Sequence, residues 1–304
     1  MPASPATKPS TAETKPRSGR VFSRRVAPFA PVALALLAQT VAPSSTPVRS
    51  TAHAALESVS KACEPDLASC PENGCAPADS PHAVANALKR RQLAEDGVSP
   101  VLLTFDDLRH LQDEAIQRVG NTARDITAQQ RDELHDLPLA SGQVSEGDLV
   151  QVMGFVVGTP HANTGESVNC NLHGEPNNDF HIAVSDQPQS SFPSLKVAEF
   201  SAVVVEMIPQ DRPEGWTLSR LDSQRDEGHA ILVTGQLFYD NLHHPNGDPN
   251  HPLSGQPRRF ALWEIHPVSS LKVCTLPNNG CSPTNPAGWT PLEQAKADDE
   301  VDSQ

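Results

Sequence analysis

The residues best suited to chemistry lie in one short stretch near the end of the chain, Leu262–Cys274. It contains a carboxylate and an imidazole two residues apart, Glu264 and His266. Successive side chains of a β-strand point to opposite faces, so these two residues would share one face. Trp263 and Ile265 would share the other face. The stretch therefore predicts a strand with one apolar face and one face able to bind a metal ion or a polar ligand.

Further polar residues lie in, or at the ends of, other predicted strands. His181 follows Asp179 at a spacing of two, Glu206 interrupts an apolar run, and Asp240 and His243 follow the end of a long apolar segment. Histidine and carboxylate side chains are ligands in zinc, manganese and iron sites, and a bound metal ion can activate water for hydrolysis. The candidate metal-binding or ligand-binding residues are His181, Glu206, Asp240, His243, Glu264 and His266.

Three interpretations of these candidates stay open. They bind a divalent metal such as zinc, they form a patch that binds a polar ligand without a metal, or they are a structural polar network. In the structural case Glu206 would pair with Arg212 or Arg220, and His266 would hydrogen-bond a neighbouring backbone group. The chain contains no His-Glu-x-x-His motif, nucleophile elbow, P-loop or Rossmann glycine pattern. No catalytic residue is assigned for that reason.

The first 54 residues have the composition of an export signal. They carry a net charge of +6, whereas the remainder of the chain carries −20. An apolar run over residues 26–42 follows the basic residues, and Ala52-His53-Ala54 is a small-x-small cleavage site. The pair Arg24-Arg25 leaves the twin-arginine route open beside the general secretory route, and the apolar run leaves an uncleaved membrane anchor open. We expect a periplasmic or extracellular protein.

The cysteines predict disulfide bonds. All six lie beyond the export signal, and an even number of cysteines in an exported chain is typical of disulfides. Their spacing matches no standard zinc pattern, and the sequence leaves their pairing open. Asn-Gly turns lead into Cys75 and Cys281, which predicts a local disulfide-bonded loop at each end of the folded region. The six residues are Cys63, Cys70, Cys75, Cys170, Cys274 and Cys281.

Helices precede a set of strands along the chain. Thr104 with Asp107, and Thr127 with Gln130, form capping boxes that mark helix starts. From residue 147 the apolar period changes to two, which is typical of strands, and glycines inside two of these strands indicate bends. The predicted strands are Leu149–Val157, Ser167–Asn171, Asp179–Ser185, Ser201–Ile208, Ala230–Tyr239 and Leu262–Cys274, with a short helix over Gly215–Ser223.

This order predicts a mainly β fold: a small OB-fold-like barrel with an extra strand, preceded by a short helical and Cys-rich segment. The barrel would span residues 145–275. The Cys-rich loop and helical hairpin would span 55–140 and pack on the barrel, because the hairpin has too little apolar surface to fold alone. The acidic segment 276–304 is expected to be a disordered tail.

Several short motifs resemble signatures of exported bacterial proteins that carry an OB-fold-like barrel domain. The motifs are Glu166-Ser-Val-Asn-Cys170, Asp179-Phe-His181, Val205-Glu206-Met-Ile-Pro209, Val233-Thr-Gly235, Tyr239-Asp240 with His243, and Trp263-Glu-Ile-His-Pro267. The resemblance covers roughly residues 63–275. It implies the fold and an exported location, and it assigns neither an activity nor a catalytic residue.

The expected function is that of an exported, disulfide-stabilised binding or interaction module, whose unknown ligand or envelope partner meets the barrel face and the loop Asp240–Pro257. The alternative is a metal-dependent hydrolase that uses the six candidate residues. A third possibility is binding of single-stranded nucleic acid, which the charge of −9 over residues 145–275 disfavours. Membrane contact is expected only through an uncleaved signal.

Overall fold

The computed structural model describes residues 61–91, 97–245, 250–251 and 258–296, so the predicted export signal lies outside the described residues. The helices are α1 (Pro81–Lys89), α2 (Phe105–Val119), α3 (Ala128–Asp132), α4 (Leu195–Phe200) and α5 (Leu218–Glu227). The strands are β1 (Val101–Leu103), β2 (Leu137–Leu139), β3 (Gly142–Val144), β4 (Leu149–Ala162), β5 (Phe180–Ser185), β6 (Val203–Met207), β7 (Ala230–Tyr239), β8 (Trp263–Cys274) and β9 (Trp289–Pro291).

Five of these strands close into a barrel in the order β4, β5, β6, β8, β7 and back to β4. Every neighbouring pair is antiparallel except β6 and β8, which run parallel. Helix α5 connects β6 to β7. This closed five-stranded arrangement confirms the prediction of a mainly β, OB-fold-like barrel.

The two faces of the barrel strands differ in polarity. In β6, Val203, Val205 and Met207 belong to the main apolar core, and the residues between them, Val204 and Glu206, lie on the opposite face. Strands β5 and β8 alternate in the same way. The candidate residues of these three strands therefore lie on the outer face of the barrel wall: His181, Glu206, Glu264 and His266.

Glycines in two barrel strands allow close approach of neighbouring backbone. A Cβ atom at Gly235 would lie 2.3 Å from the carbonyl oxygen of Pro267, and the register between β7 and β8 shifts at this point. A Cβ atom at Gly154 would lie 2.7 Å from the carbonyl oxygen of Ser185 on β5. Any side chain at these two positions would force the strands apart, so the barrel requires glycine there.

The helical segment before the barrel packs on it, as the sequence predicts. Both predicted capping boxes form, at Thr104 and at Thr127. The apolar side chains of α2, including Leu108 and Leu111, are buried in the same core as the barrel interior. Strand β1 pairs in parallel with β4 and extends the sheet outside the barrel.

All six cysteines form disulfides, which is consistent with an oxidising compartment. Cys63 bonds to Cys75 and Cys274 bonds to Cys281, so each end of the folded region contains a local loop. Cys70 bonds to Cys170 across a separation of 100 residues. This bond ties the Cys-rich segment to the connection between β4 and β5.

Three sequence-based expectations need correction. Residues 167–171 are not a strand: Ser167–Asn169 form a 3-10 turn, because Cys170 adopts the left-handed conformation and bonds to the Cys-rich segment. The extra strands lie outside the barrel instead, as β1 and β9. The segment 276–296 is structured, since β9 pairs with β8 and Leu292 is buried in the core. Residues 297–304 lie outside the described residues.

The helix before β7 begins at Leu218 rather than Gly215 and continues to Glu227. The side chain of Thr217 caps it by accepting a hydrogen bond from the backbone of Arg220, which fixes its start. In the described part of the chain, no helix combines the length and the apolar character that a membrane crossing needs.

Candidate functional site

A cavity of about 610 Å³ opens on the outer face of the barrel, against strands β5 and β6. Its walls also include residues 163 and 166–168 of the β4–β5 connection, parts of the β7–β8 connection and the inner side of α1. In OB-fold barrels the second and third strands and these two loops form the ligand-binding face. The cavity therefore lies where this topology offers a binding surface, and α1 covers part of that surface.

Glu206 is the central carboxylate of a polar cluster in the wall of this cavity. Its Oε1 lies 3.0 Å from Nε2 of His181, and its Oε2 lies 2.8 Å from Nδ1 of His266. His181 is the direct partner of Glu206 in the β5–β6 ladder, and β8 with His266 follows as the next strand. Glu206 and His266 are buried, whereas His181 is half-buried and reaches the cavity.

Two further carboxylates extend the cluster. Glu166 Oε1 lies 3.4 Å from Nε2 of His181, and Asp179 Oδ2 lies 3.4 Å from Nε2 of His266. The backbone N–H of Asp179 donates to Glu166 Oε2 at 3.0 Å, and the side chain of Asn169 donates to Asp179 Oδ1 at 2.9 Å. Each imidazole therefore lies between Glu206 and a second carboxylate, and hydrogen bonds hold the second carboxylate in both cases.

Arg259 connects the remaining candidates to this cluster. Arg259 is only 2% exposed. Its guanidinium donates hydrogen bonds to Glu264 and to Oδ2 of Asp240, the latter at 3.1 Å. Asp240 also accepts a 2.7 Å hydrogen bond from Nδ1 of His243. Glu264 Oε2 lies 3.6 Å from Nδ1 of His266. All six residues selected from the sequence therefore belong to one continuous polar network.

The carboxylates raise the proton affinity of the histidines. Burial opposes protonation of His181, but Glu206, Glu166 and Asp179 together outweigh burial and raise the pKa of His181 to about 9. Burial also opposes protonation of His266, and Glu206 again raises that pKa well above its ordinary value. The hydrogen bond to Asp240 raises the pKa of His243. At all three imidazoles the negative potential of the carboxylates exceeds the cost of burial.

The pKa values of the two acids beside His181, Glu206 and Glu166, are shifted in opposite directions. Burial would raise the pKa of Glu206, but His181 and His266 hold it well below its ordinary value. Burial raises the pKa of Glu166 to about 7, and the negative charge of Asp179 adds to this effect. A pKa of about 7 means that Glu166 changes its charge near neutral pH.

Lys89 and Arg259 are the permanent cations near the network. Burial would lower the pKa of Lys89, but the surrounding carboxylates, Glu206 first, raise it. Lys89 and Arg259 in turn help to hold the pKa of Asp240 well below its ordinary value, against the effect of burial. Burial and the charge of Glu206 together raise the pKa of Glu264.

Apart from a group of disulfide-bonded cysteines, two sets of three side chains among the described residues bring donor atoms within 4.8 Å of one another. The first set is Glu166, His181 and Glu206, and the second is Asp179, Glu206 and His266. Carboxylate oxygens with an imidazole nitrogen suit zinc or manganese. The residues therefore fit a divalent cation, and the three members of the first set all border the cavity.

Several buried atoms of the cluster lack a well-aligned hydrogen bond within the described residues. They are Asp179 Oδ2, Glu206 Oε2, Glu264 Oε2 and both ring nitrogens of His266. Buried polar atoms in folded proteins are almost always hydrogen-bonded. These atoms approach one another at ion-pair distances, so a proton or a cation must lie among them to offset the carboxylate charges.

Some members of the network were not selected as site residues from the sequence. Glu166 and Arg259 lie in loops, where no strand periodicity indicates their direction. Asp179 was paired with His181 by its spacing, and the structure places both beside Glu206. The expectation that Glu206 pairs with Arg212 or Arg220 is wrong. Each of these arginines donates to backbone carbonyl groups elsewhere.

The fold and the site together define the class of protein: a closed five-stranded, OB-fold-like barrel whose outer face carries a cavity above a buried network of charged groups. No family model, no curated protein and no solved structure matches this chain. The resemblance to exported bacterial proteins stays a prediction, and the function must be argued from the cavity and its side chains.

Proposed function

We propose that this protein is an exported, disulfide-stabilised binding module that takes a small, positively charged ligand into the cavity on the barrel. Its three disulfides support an exported location, because such bonds persist mainly in oxidising compartments. The position of the cavity supports binding, because it lies on the face that OB-fold barrels use for ligands.

The charge of the cavity walls is the observation that carries this proposal. Among the described residues, five carboxylates and three lysine or arginine side chains line the cavity, which gives −2 with neutral histidines and −1 once His181, with its pKa of about 9, is protonated. The lining carboxylates are Glu166, Glu199, Glu206, Asp240 and Glu264. Such walls attract a cation and repel a polyanion such as single-stranded nucleic acid.

A calorimetric titration tests the sign of the ligand charge. The probes are putrescine and spermidine as cations, with acetate as an anion and glucose as a neutral compound. We expect heat of binding from at least one amine and none from acetate, with amine affinity falling as salt rises. Equal binding of acetate, or no binding of any amine, would contradict the proposal.

Variants separate the cavity from the overall charge of the protein. Ala183 lines the cavity on the outer face of β5, so Ala183→Trp should fill it and abolish amine binding. Lys89→Gln removes one positive charge from the wall and should tighten amine binding about threefold. Lys272→Gln makes the same charge change on β8 outside the cavity, and should leave the affinity unchanged.

A metal-dependent hydrolase is the second candidate function. The convergence of Glu166, His181 and Glu206 beside an open cavity favours it, because a metal ion held there would have room for a water molecule and a substrate. The test is turnover of p-nitrophenyl acetate and p-nitrophenyl phosphate by protein supplied with zinc or manganese. Activity that chelation removes, and that His181→Gln lacks, would support this candidate.

A further inference from the structure

We infer that Glu166, His181 and Glu206, joined by Asn163, form a binding site for a divalent metal ion in the wall of the cavity. The inference rests on the proposed function in that the ion would share its cavity and its preference for cations, and the ion is a ligand distinct from the amines that test that function. It assigns the ligand atoms and the metal class, zinc or manganese, which the proposed function leaves open.

The spacing of the donor atoms matches a metal site. His181 Nε2 lies 3.0 Å from Glu206 Oε1 and 3.4 Å from Glu166 Oε1. The side-chain amide of Asn163 lies 3.0 Å from the same nitrogen and 3.3 Å from Glu166 Oε1. Ligand atoms about 2.0–2.1 Å from a tetrahedral zinc ion are about 3.3 Å from one another. A small contraction or expansion of the cluster would place one ion at its centre.

The orientation of the His181 ring leaves its Nε2 atom available to bind a metal ion. Its Nδ1 lies 3.3 Å from the backbone carbonyl oxygen of Asp179, which only a protonated Nδ1 can satisfy. Its Nε2 faces Glu166 and Glu206, and a bare lone pair there would be repelled by both carboxylates. A positive charge must therefore lie between Nε2 and the two carboxylates, either as a proton or as a metal ion.

Asn163 offers a fourth ligand atom, and its contact with His181 is compatible with either a proton or a metal ion on Nε2. Its Nδ2 faces His181 Nε2, so a proton on Nε2 would bring two N–H donors together. Rotating the amide by 180° exchanges Nδ2 for Oδ1 and presents an oxygen atom at the same place. With that oxygen, the ion would have one nitrogen and three oxygen ligands, a set that zinc and manganese accept.

The second oxygen of the ligand Glu166 is held in place by hydrogen bonds, as in many metal sites. Glu166 Oε2 accepts hydrogen bonds from the backbone of Asp179 at 3.0 Å and from Asn169 at 3.3 Å, which leaves Oε1 to the ion. Glu206 Oε2 has no aligned hydrogen bond and lies 2.8 Å from Nδ1 of His266, in a residue that is 2% exposed. Hydrogen-bonded partners such as those of Glu166 orient metal ligands.

Direct titration tests the site. Purified, disulfide-bonded protein is stripped with a chelator and titrated with ZnCl₂ and with MnCl₂ in a buffer that does not bind metals. We expect at least one of the two ions to bind, with a stoichiometry of one per chain. His181→Gln and Glu166→Gln should each weaken that binding at least tenfold, because each removes one ligand atom. Failure of both ions to bind would overturn the inference.

His161 provides a matched control. Its ring stacks on His181 with centroids 5.6 Å apart and borders the same cavity, but its Nδ1 bonds the carbonyl oxygen of Thr159. His161→Gln should leave the metal affinity within about twofold of the unchanged protein. An equal loss in His161→Gln and His181→Gln would overturn the assignment of ligands.

A crystallographic test uses the unchanged protein, so its result does not depend on whether the variants fold. Anomalous diffraction from crystals grown with ZnCl₂ should place the ion against Nε2 of His181 and oxygens of Glu166 and Glu206, and an ion elsewhere would overturn the inference. The two proposals can also fail separately. Amine binding without metal binding would leave the proposed function and remove the metal site, and metal binding without any amine binding would do the reverse.

Discussion

Replacing Arg259 by methionine tests the energetics of the buried network. Arg259 is 2% exposed and contacts the carboxylates of Glu264 and Asp240. Removing one partner of a buried ion pair costs about 3–5 kcal/mol, because the remaining charge is left in a poorly solvated place. The free energy of unfolding at pH 7 should fall by that amount, a large share of the roughly 5–15 kcal/mol of a typical domain.

The neighbouring arginine is the control for this substitution. Arg258 contacts Glu199 at 2.5 Å, but its side chain is 32% exposed and that of its partner is 20% exposed. Pairs near the surface contribute about 0–1 kcal/mol, because water solvates the charges when the pair is broken. Arg258→Met should therefore lower the free energy of unfolding by about 1 kcal/mol or less.

The stability that Arg259→Met loses should depend on pH. Without the guanidinium, the pKa of Glu264, which burial and Glu206 already raise, moves further above that of the unfolded chain, and the pKa of Asp240 loses part of its lowering. An acid whose pKa is higher in the folded protein destabilises the folded state when the pH is above the pKa that the acid has in the unfolded chain. At a pH below that value it has no such effect. The difference between the unchanged protein and Arg259→Met should therefore shrink as the pH falls from 7 towards 4.

Denaturant titrations followed by tryptophan fluorescence measure the free energy of unfolding of each variant and its dependence on pH, with reversibility checked for each variant. Arg259→Met/Glu264→Met should be more stable than Arg259→Met alone, because it removes one of the two stranded charges. The reasoning fails if Arg259→Met and Arg258→Met lie within 1 kcal/mol of each other at pH 7. It also fails if the loss is the same at pH 4 and pH 7.

Two further predictions concern the disulfides and the imidazole at the cavity rim. Breaking the Cys70–Cys170 disulfide, whose cysteines are 100 residues apart, by Cys70→Ser should lower the free energy of unfolding by about 4.7 kcal/mol. Breaking the Cys274–Cys281 disulfide, with a separation of 7 residues, by Cys274→Ser should lower it by about half as much, because a longer loop restricts the unfolded chain more. Equal losses of stability in melting experiments would contradict this prediction. The hydrogen bond to Asp240 raises the pKa of His243 above 6.5, so an NMR titration of its ring protons should give a higher midpoint that Asp240→Asn lowers.

Much of the fold could be predicted because its signals are local. The capping boxes at Thr104 and Thr127 and the strand Ala230–Tyr239 depend on neighbouring residues and on apolar alternation, and all three are present as predicted. The error at Ser167–Asn171 has a tertiary cause, since Cys170 bonds to a residue 100 positions away. The order within the tail 276–296 has a similar cause, because β9 exists only by pairing with β8.

The site could be predicted in part. Spacing of two residues correctly places Glu264 and His266 on one face of β8, and Glu206 stands out in an apolar strand. Their partners could not be selected in this way. Asn163, Glu166 and Arg259 lie in connections between strands, where the direction of a side chain depends on contacts that are distant in sequence.

The sequence by itself determined the mainly β barrel, the full use of its cysteines in disulfides and the six polar residues that could do chemistry, because periodicity and residue type act locally. Only the tertiary structure decided that these six side chains meet on the outer face of the barrel, with Glu206 between two histidines and a cavity above them. The physical reason is barrel closure. It brings β8 beside β6 and carries two loops onto the same face, and no local pattern in the chain encodes that neighbourhood.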